Sequence, residues 1–155
     1  MAPKLVISSV AETREFDGQE LGPSEWTTVD QARIDAFAAV TGDRQWIHCD
    51  VERARRDSPW GSTLAHGYLS LSLVPALLAE LLEVRGATSV VNTGLDKLRL
   101  TAPVRAGARV RLRASIRSVR AIPPEGARVQ FAVRLEVEGS AKPALLANVN
   151  YAYFG

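Results

Sequence analysis

The sequence predicts an α+β fold in which an antiparallel sheet wraps around one buried helix. Two patterns predict it. From His66 to about Leu82 nearly every residue is apolar, and after Gly86 apolar residues recur at every second position. A helix that is apolar on all sides must be buried, and strands with one apolar face must cover a core. The 155 residues, of which 46% are hydrophobic, suit one domain over residues 1–155.

The first helix is predicted to follow an irregular lead-in over residues 1–26. Thr28 and Gln31 have the spacing of a capping box, in which a hydroxyl caps the helix and a side chain three residues later returns the hydrogen bond. We therefore expect a helix from Thr28 to about Val40. Gly42 is the residue type that commonly ends a helix, because it adopts positive φ without strain.

The second half of the chain is predicted to contain the buried helix and the sheet. An irregular segment, residues 43–66, precedes that helix and is long enough to be functional, with a short helix near Glu52–Arg56. Alternating patterns then predict strands. These strands are expected around Ser89–Gly94, Lys97–Thr101, Val110–Ile116, Val129–Val137 and Leu145–Tyr153.

Charge and cysteine content exclude several classes of protein. The formal net charge is +2 without a block of like charges, so we predict no nucleic-acid partner, whereas an anionic small molecule fits this charge. A single cysteine, Cys49, cannot form a disulfide within the chain, which favours the cytoplasm. The N-terminal residues do not resemble a signal peptide, and the stretch Tyr68–Leu82 is too short and interrupted to span a membrane.

Two places in the irregular segment are candidates for chemistry. Asp43 and His48 lie just beyond the first helix, where an acid and an imidazole can share one substrate face as base and acid. On spacing alone, a capping Asp and a His that bonds loop backbone are the favoured explanation. His66 and Gly67 lie where the buried helix begins, and free N–H groups there can bind an oxyanion. Gly67 alternatively serves tight packing alone, and His66 is interpreted as a loop residue that bonds backbone.

Other polar residues are given structural interpretations. The two His lie eighteen residues apart without a Cys/His ligand pattern, and no Gly-rich phosphate loop occurs, so we predict no metal and no cofactor. A row of arginines on one predicted strand is interpreted as a solvated face, with contact to the phosphate groups of an anionic small molecule as the alternative. The row comprises Arg109, Arg111, Arg113 and Arg117, and Lys97 and Arg99 are rival candidates for that contact.

Two segments resemble the hydratase signature of the MaoC-like dehydratase family. Phe37–Asp50 resembles its first half, and Ser62–Leu69 resembles its second half, in the right order and spacing. The wording around His48, with Gln45–Trp46 where short hydratases carry Asn-Pro, is similar to the nodulation-protein-N-like branch, as is Asn92–Gly107. The resemblance covers roughly residues 24 to 153.

This resemblance implies a single hot-dog fold, usually a homodimer, and reversible hydration of trans-2-enoyl-CoA to (R)-3-hydroxyacyl-CoA. It places Asp43 and His48 at the catalytic positions and the Gly67 N–H at the oxyanion position. The acyl-thioester channel implied by the family is lined by Leu64, Ala65, His66, Val91, Asn92, Thr93, Thr101 and Pro103.

Two other functions remain open on the same fold. Thioesterases with a hot-dog fold generally activate water with a carboxylate on the central helix, and here that helix is apolar apart from Ser70, Ser72 and Glu80. A non-catalytic module that binds acyl thioesters is the second alternative, and the presence of both Asp43 and His48 weighs against it.

Overall fold

The computed structural model describes residues 2–155, in which four long strands form most of one sheet and short helices lie against it. No helix within this range is long and apolar enough to cross a membrane. In chain order the elements are β1 (Leu5–Ile7), a 3-10 helix (Ala11–Phe16), β2 (Glu20–Leu21), β3 (Thr27–Val29), α1 (Gln31–Thr41), α2 (Trp46–Cys49), α3 (Val51–Asp57), α4 (Gly67–Ser72), α5 (Val74–Leu81), β4 (Leu82–Val84), β5 (Ser89–Leu100), β6 (Ala108–Ile122), β7 (Gly126–Val137) and β8 (Leu145–Phe154).

The six-stranded sheet has the order β2-β6-β7-β8-β5, all antiparallel, and β3 also pairs with β6. A separate parallel pair joins β1 to β4. The predicted alternation in β6 and β7 is confirmed, because one face of each strand is buried in the core. Phe131, Leu112 and Leu135 at the centre of this face are fully buried. In β8 the predicted inward residues are buried too, although Asn148 and Ala152 on the other face are also buried. The sheet therefore wraps around the helical segment as the sequence predicts.

The central helix differs from its prediction in two ways. It is broken at Leu73 into α4 and α5, because Pro75 has no N–H and its ring excludes the carbonyl one turn earlier. It also is not buried on all sides, since Tyr68 at its start is 73% exposed. The buried part is α5, where Val74, Leu77 and Leu81 face the sheet.

The prediction that Thr28 caps α1 is wrong. Thr28 lies in β3, where it pairs with Arg109, and Asp30 is the cap instead: its Oδ1 accepts a hydrogen bond from the Arg33 N–H at 2.9 Å. The predicted end of the helix is confirmed. Gly42 has φ 81° and donates its N–H to the Ala38 carbonyl at 2.9 Å.

The two strands predicted between Ser89 and Thr101 are one edge strand, β5, with two irregularities. The register to β8 shifts between Asn92 and Gly94 and again between Asp96 and Arg99. These bulges interrupt the alternation, which is why the pattern reads as two short strands. β5 pairs on one side only, and its apolar residues are exposed, among them Val90 (50%), Val91 (47%) and Leu95 (37%).

Candidate functional site

The segment between α1 and α4 is held by side chains that bond backbone atoms of distant residues. Gln31 in the first turn of α1 donates from Nε2 to the His48 carbonyl at 2.8 Å, and its Oε1 accepts from Thr63 Oγ1 at 2.5 Å. One amide thus joins α2 to the strand-like segment before α4. The capping-box pattern did not predict that Gln31 joins these two segments, since its partners His48 and Thr63 lie 17 and 32 residues away.

His48 is buried in α2 with its ring orientation fixed. Its Nδ1 lies 2.7 Å from the carbonyl oxygen of Leu64. A carbonyl only accepts, so Nδ1 carries the proton in the neutral ring, and Nε2 keeps a free lone pair. The imidazole is 8% exposed, so this lone pair belongs to a group that is largely shielded from water. His48 is therefore preorganised to accept a proton at Nε2.

His66 lies between two rings at the end of the loop. Its ring stacks on His48 with centroids 3.8 Å apart and contacts Phe37 at 4.9 Å. Its Nε2 lies 2.9 Å from the Asp43 carbonyl oxygen, and it donates to that oxygen for the same reason as His48. The prediction that His66 bonds loop backbone is confirmed. Its Nδ1 is buried and has no partner within the described part of the chain.

Asp43 is exposed, and hydrogen bonds hold both its backbone N–H and its side chain. Its N–H donates to Thr41 Oγ1 at 3.3 Å, and its Oδ1 accepts from the Gln45 N–H at 3.4 Å. A carboxylate oxygen of Asp43 and ring nitrogens of His48 and His66 all lie within 4.8 Å of one another. The fold thus brings together the acid and the imidazole that the sequence pattern singled out.

A pocket of 290 Å³ opens beside the start of α4. Gly67 forms part of its wall, and a Cβ at this position would overlap Cδ1 of Leu100. As the first residue of α4, Gly67 has an N–H without an acceptor inside the helix. The pocket is lined by Trp60, Ala65, Gly67, Ser70, Leu100, Thr101, Ala102, Pro103, Val104 and Ala144.

The predicted channel residues separate into three groups. Ala65, Thr101 and Pro103 line this pocket, whereas Leu64 and His66 are not among its lining residues and instead hold the segment between α1 and α4 through the contacts above. The remaining group, Val91, Asn92 and Thr93, lies toward the other end of β5 and does not line the pocket. Its place in substrate binding stays a prediction.

Gln45 and Trp46, the positions at which the resemblance implies Asn-Pro in short hydratases, lie at the start of α2. Trp46 is the first residue of α2, a position that proline also favours, so either residue type starts the same helix. The Trp46 ring packs under the guanidinium of Arg53 at 4.2 Å, and Gln45 contributes its N–H to Asp43. In this chain, Trp46 therefore contributes a contact on the surface of α2, and Gln45 contributes a hydrogen bond to Asp43.

The three grouped side chains are of the types that hold a divalent cation, but their geometry does not suit one. A bound ion lies in the plane of each ligating imidazole. The rings of His48 and His66 are stacked at 24°, so their planes do not meet near the two nitrogens. Ligation of one ion by both rings would require one of them to rotate away from its carbonyl partner.

The row of arginines on β6 has carboxylate partners on β7 and beyond. Arg109 pairs with Glu138 at 3.1 Å, and Arg111 pairs with Glu136 at 2.7 Å. Arg113 also pairs with Glu136, at 3.0 Å. These ion pairs support the interpretation as a solvated face. Arg117 lies in a bulge between Ile116 and Ser118, so it does not share the regular alternation of the other three.

Comparison with known proteins gives consistent matches. Residues 13–138 match the family model of the MaoC like domain. The chain is 42% identical to 3-hydroxyacyl-thioester dehydratase Z of Mycobacterium tuberculosis (strain CDC 1551 / Oshkosh), covering 91% of this chain and 93% of that protein. It is 43% identical to nodulation protein N of Rhizobium leguminosarum bv. viciae, covering 90% and 88%. The (R)-hydratase from A. caviae involved in PHA biosynthesis superimposes with a TM-score of 0.68 at 23% identity, covering 87% of this chain and 94% of that one. The predicted hot-dog fold is confirmed by this likeness.

Proposed function

Because the chain belongs to the MaoC-like dehydratase family, we propose that it catalyses reversible, (R)-specific hydration of trans-2-enoyl thioesters. The chain is an enzyme of the hydro-lyase class, as the names of its relatives indicate. The observation that carries the finer proposal is the grouping of Asp43 with His48 and His66, because His66 directly precedes the N–H of Gly67 at the start of α4. No cofactor takes part in the proposed reaction.

Water is held between Asp43 and His48 in the proposed mechanism. The free lone pair of His48 Nε2 and the exposed carboxylate of Asp43 are both acceptors for the two hydrogens of one water molecule. One of the two groups removes a proton as the oxygen bonds to the β-carbon, and a proton is delivered to the α-carbon from the same face. Each proton transfer of this kind contributes on the order of 10²–10⁴-fold in rate.

The Gly67 N–H stabilises the negative charge that develops on the thioester oxygen. An N–H fixed at the start of a helix is oriented before the reaction, so no reorganisation is needed in the transition state. The lack of a side chain at Gly67 lets the thioester approach the backbone closely. A single donor in such a site contributes about 3 kcal/mol.

The acyl chain is proposed to enter the pocket beside Gly67, between Ala65 and the segment from Thr101 to Pro103. We propose that the active form is a homodimer. Support comes from β5, an edge strand whose apolar Val90 and Leu95 are exposed in the single chain. Val91, Asn92 and Thr93 on that edge would then lie at the subunit interface. The cytoplasmic location and CoA as the carrier stay predictions.

The thioesterase alternative has less support. Glu80 is the one carboxylate on α4 and α5, and it is exposed and accepts a hydrogen bond from the Glu25 N–H at 3.3 Å. It does not line the pocket beside Gly67. The central helix therefore offers no carboxylate to activate water at the thioester carbonyl.

Absorbance of the conjugated enoyl thioester tests the proposed reaction. Purified protein is mixed with crotonyl-CoA and with a longer trans-2-enoyl-CoA, and a dehydrogenase specific for (R)-3-hydroxyacyl-CoA reports the product. We expect loss of the conjugated band together with the (R) product. A thiol reagent run in parallel detects release of free CoA.

The outcomes separate the alternatives. Release of thiol without hydration would identify a thioesterase. Silence in both assays, with tight binding of a non-hydrolysable acyl-CoA, would identify a binding module. Formation of the (S) product would refute the stereochemical part of the proposal and leave the family assignment intact.

A further inference from the structure

A second cavity, of 390 Å³, lies on the outer face of the sheet, away from the catalytic loop. All of its lining residues are polar, and two are arginines without any carboxylate beside them. The cavity is lined by Thr93, Ser118, Arg120, Arg128, Gln130 and Asn150. Three adjacent strands and the edge strand β5 supply these residues, so the cavity rests on a rigid sheet.

The two arginines face each other directly across the β6–β7 ladder. Arg120 is the register partner of Arg128, and like charges in this position repel. The bulge between Ile116 and Ser118 causes this arrangement. It shifts the alternation of β6 by one residue, so Val119 turns inward and Arg120 turns outward beside Arg128.

Other arginines of the same face are neutralised, and this pair is not. Arg113 and Arg134 both lie within 4.0 Å of Glu136, whereas Arg120 and Arg128 form no ion pair with any described residue. Carboxylates neutralise the arginines at one end of this sheet face. At the other end, the positive charges of Arg120 and Arg128 are available to a ligand. An anion that bridges both guanidinium groups would remove their mutual repulsion.

Two of the remaining lining groups, the Asn150 amide and the Ser118 hydroxyl, can donate hydrogen bonds to a ligand. Gln130 Nε2 donates to Asn150 Oδ1 at 3.1 Å, which uses the amide oxygen of Asn150 and leaves its NH₂ group free to donate. The Thr93 hydroxyl donates to the Asn150 carbonyl at 3.3 Å and holds the edge strand against β8. The Ser118 hydroxyl adds another donor at the cavity wall. Two planar guanidinium forks with amide and hydroxyl donors match the oxygens of a phosphate group.

We propose that this cavity binds a phosphate-bearing anion between Arg120 and Arg128. The catalytic pocket and the cavity are connected by β5, since Leu100 lines the first and Thr93 lines the second. Thr93 and Leu100 are seven positions apart along β5, a distance on the order of 20 Å. That distance is comparable to the reach of a phosphopantetheine arm, so the anion is either the phosphate end of the substrate's own carrier or a free phosphate compound. The first source rests on the proposed function, and the second does not.

Calorimetric titration with inorganic pyrophosphate and with adenosine 3′,5′-bisphosphate tests the site without any need for catalysis. We compare the full chain with the double variant Arg120→Gln/Arg128→Gln. Arg113→Gln is the matched control, because it removes one arginine from the same strand face where a carboxylate neutralises it. We expect wild type and the control to bind, and the double variant to lose on the order of tenfold or more in affinity.

Thermal melting provides a second readout that a folding defect would not imitate. Without an anion, the double variant is expected to melt at or above the temperature of wild type, because two like charges have been removed. Pyrophosphate should raise the melting temperature of wild type and leave that of the double variant unchanged. Equal binding by wild type and the double variant, or no binding by wild type, would overturn the proposal.

Kinetics distinguishes the two sources of the anion. Crotonyl-CoA carries phosphates, and the crotonyl thioester of N-acetylcysteamine does not. A KM for crotonyl-CoA that rises in the double variant, with the KM for the short thioester unchanged, identifies the carrier as the ligand. An unchanged KM for both, with pyrophosphate binding still lost, identifies a free phosphate compound. A protein without hydratase activity that still binds pyrophosphate through both arginines would refute the proposed function and retain this site.

Discussion

The segment between α1 and α4 and the sheet are stabilised internally by different kinds of interaction. In β6, β7 and β8 the order comes from continuous backbone ladders and a fully buried apolar face. Between α1 and α4 it comes from a few side chains that bond distant carbonyls: Gln31 bonds His48, His48 bonds Leu64, and His66 bonds Asp43. The sheet distributes its stability over many similar contacts, whereas the geometry of the loop depends on a small number of specific hydrogen bonds.

This difference implies two separate responses to mutation. A substitution in the sheet removes part of a large apolar core and lowers the free energy of unfolding. A substitution in the loop removes one specific contact and displaces a reacting group, although the core beneath is unchanged. Stability and rate should therefore respond to changes in different regions, and the following variants test that separation.

Asp43→Asn gives the largest expected effect, on rate alone. The amide cannot take a proton from water, so kcat should fall on the order of 10²–10⁴-fold. The Asp43 side chain is exposed, so the free energy of unfolding should change by no more than about 0.5 kcal/mol. Steady-state kinetics with crotonyl-CoA and urea denaturation measure the two quantities. A kcat within about tenfold of wild type would remove Asp43 from the mechanism.

Phe131→Ala gives the opposite response, in stability alone. Phe131 is fully buried and packs edge-to-face against Tyr151 with centroids 6.0 Å apart. Its loss leaves a cavity in the core and should cost about 3–5 kcal/mol of unfolding free energy. Urea denaturation gives that cost, and activity per folded molecule should stay close to wild type. A fall in kcat of the folded fraction would show that the sheet and the loop are coupled.

His66→Ala tests whether one loop contact positions the catalytic pair. The hydrogen bond to the Asp43 carbonyl and the stacking on His48 are both lost, and a displacement of about 1 Å can cost 10²-fold in kcat. His66→Gln keeps a donor near the position of Nε2 and should recover part of that loss. The pH profile of kcat should keep its shape, because Asp43 and His48 still transfer the protons. A changed profile would instead make His66 a proton-transfer group.

Glu136→Gln gives the smallest effect and depends on pH. Burial raises the pKa of Glu136, but its hydrogen bond to Arg111 and the charge of Arg113 together lower the pKa below its ordinary value of 4.5. The carboxylate therefore stabilises the fold above that value, and the contribution disappears as pH falls through the lowered pKa. Denaturation at neutral pH should show a loss of about 1 kcal/mol. At a pH below the lowered pKa the variant and wild type should be equally stable; a constant difference would point to packing.

The sequence predicted the parts of the structure that follow from regular alternation. The buried face of β6 to β8, the end of α1 at Gly42 and the pairing of Asp43 with His48 all follow from local patterns and from the family resemblance. Two of the predictions that were wrong, the unbroken central helix and the two separate strands between Ser89 and Thr101, depend on residues that interrupt a regular pattern. Pro75 breaks the central helix. The bulges interrupt the alternation within β5, so one continuous strand has the pattern of two short ones.

The contacts that position the site could not be predicted from the sequence, because they join residues far apart in the chain. In the sequence, Gln31 looks like an ordinary residue of the first helical turn, and only the folded structure places His48 and Thr63 beside it. Arg120 has the parity of an inward residue until the bulge at Arg117 shifts the register. A bulge inserts one residue without changing the residue types around it, so alternation alone does not reveal it.

The irregular edge strand β5 also has a consequence for solubility. A straight, apolar edge is a template on which further chains add strand after strand into fibrils. In β5, Gly94 has φ 144° and Lys97 has φ 52°, so the outward N–H and carbonyl groups change direction twice within the strand. An incoming strand finds a regular row of partners over only part of its length. The two bulges therefore let an apolar edge exist on this protein without making it a nucleus for aggregation.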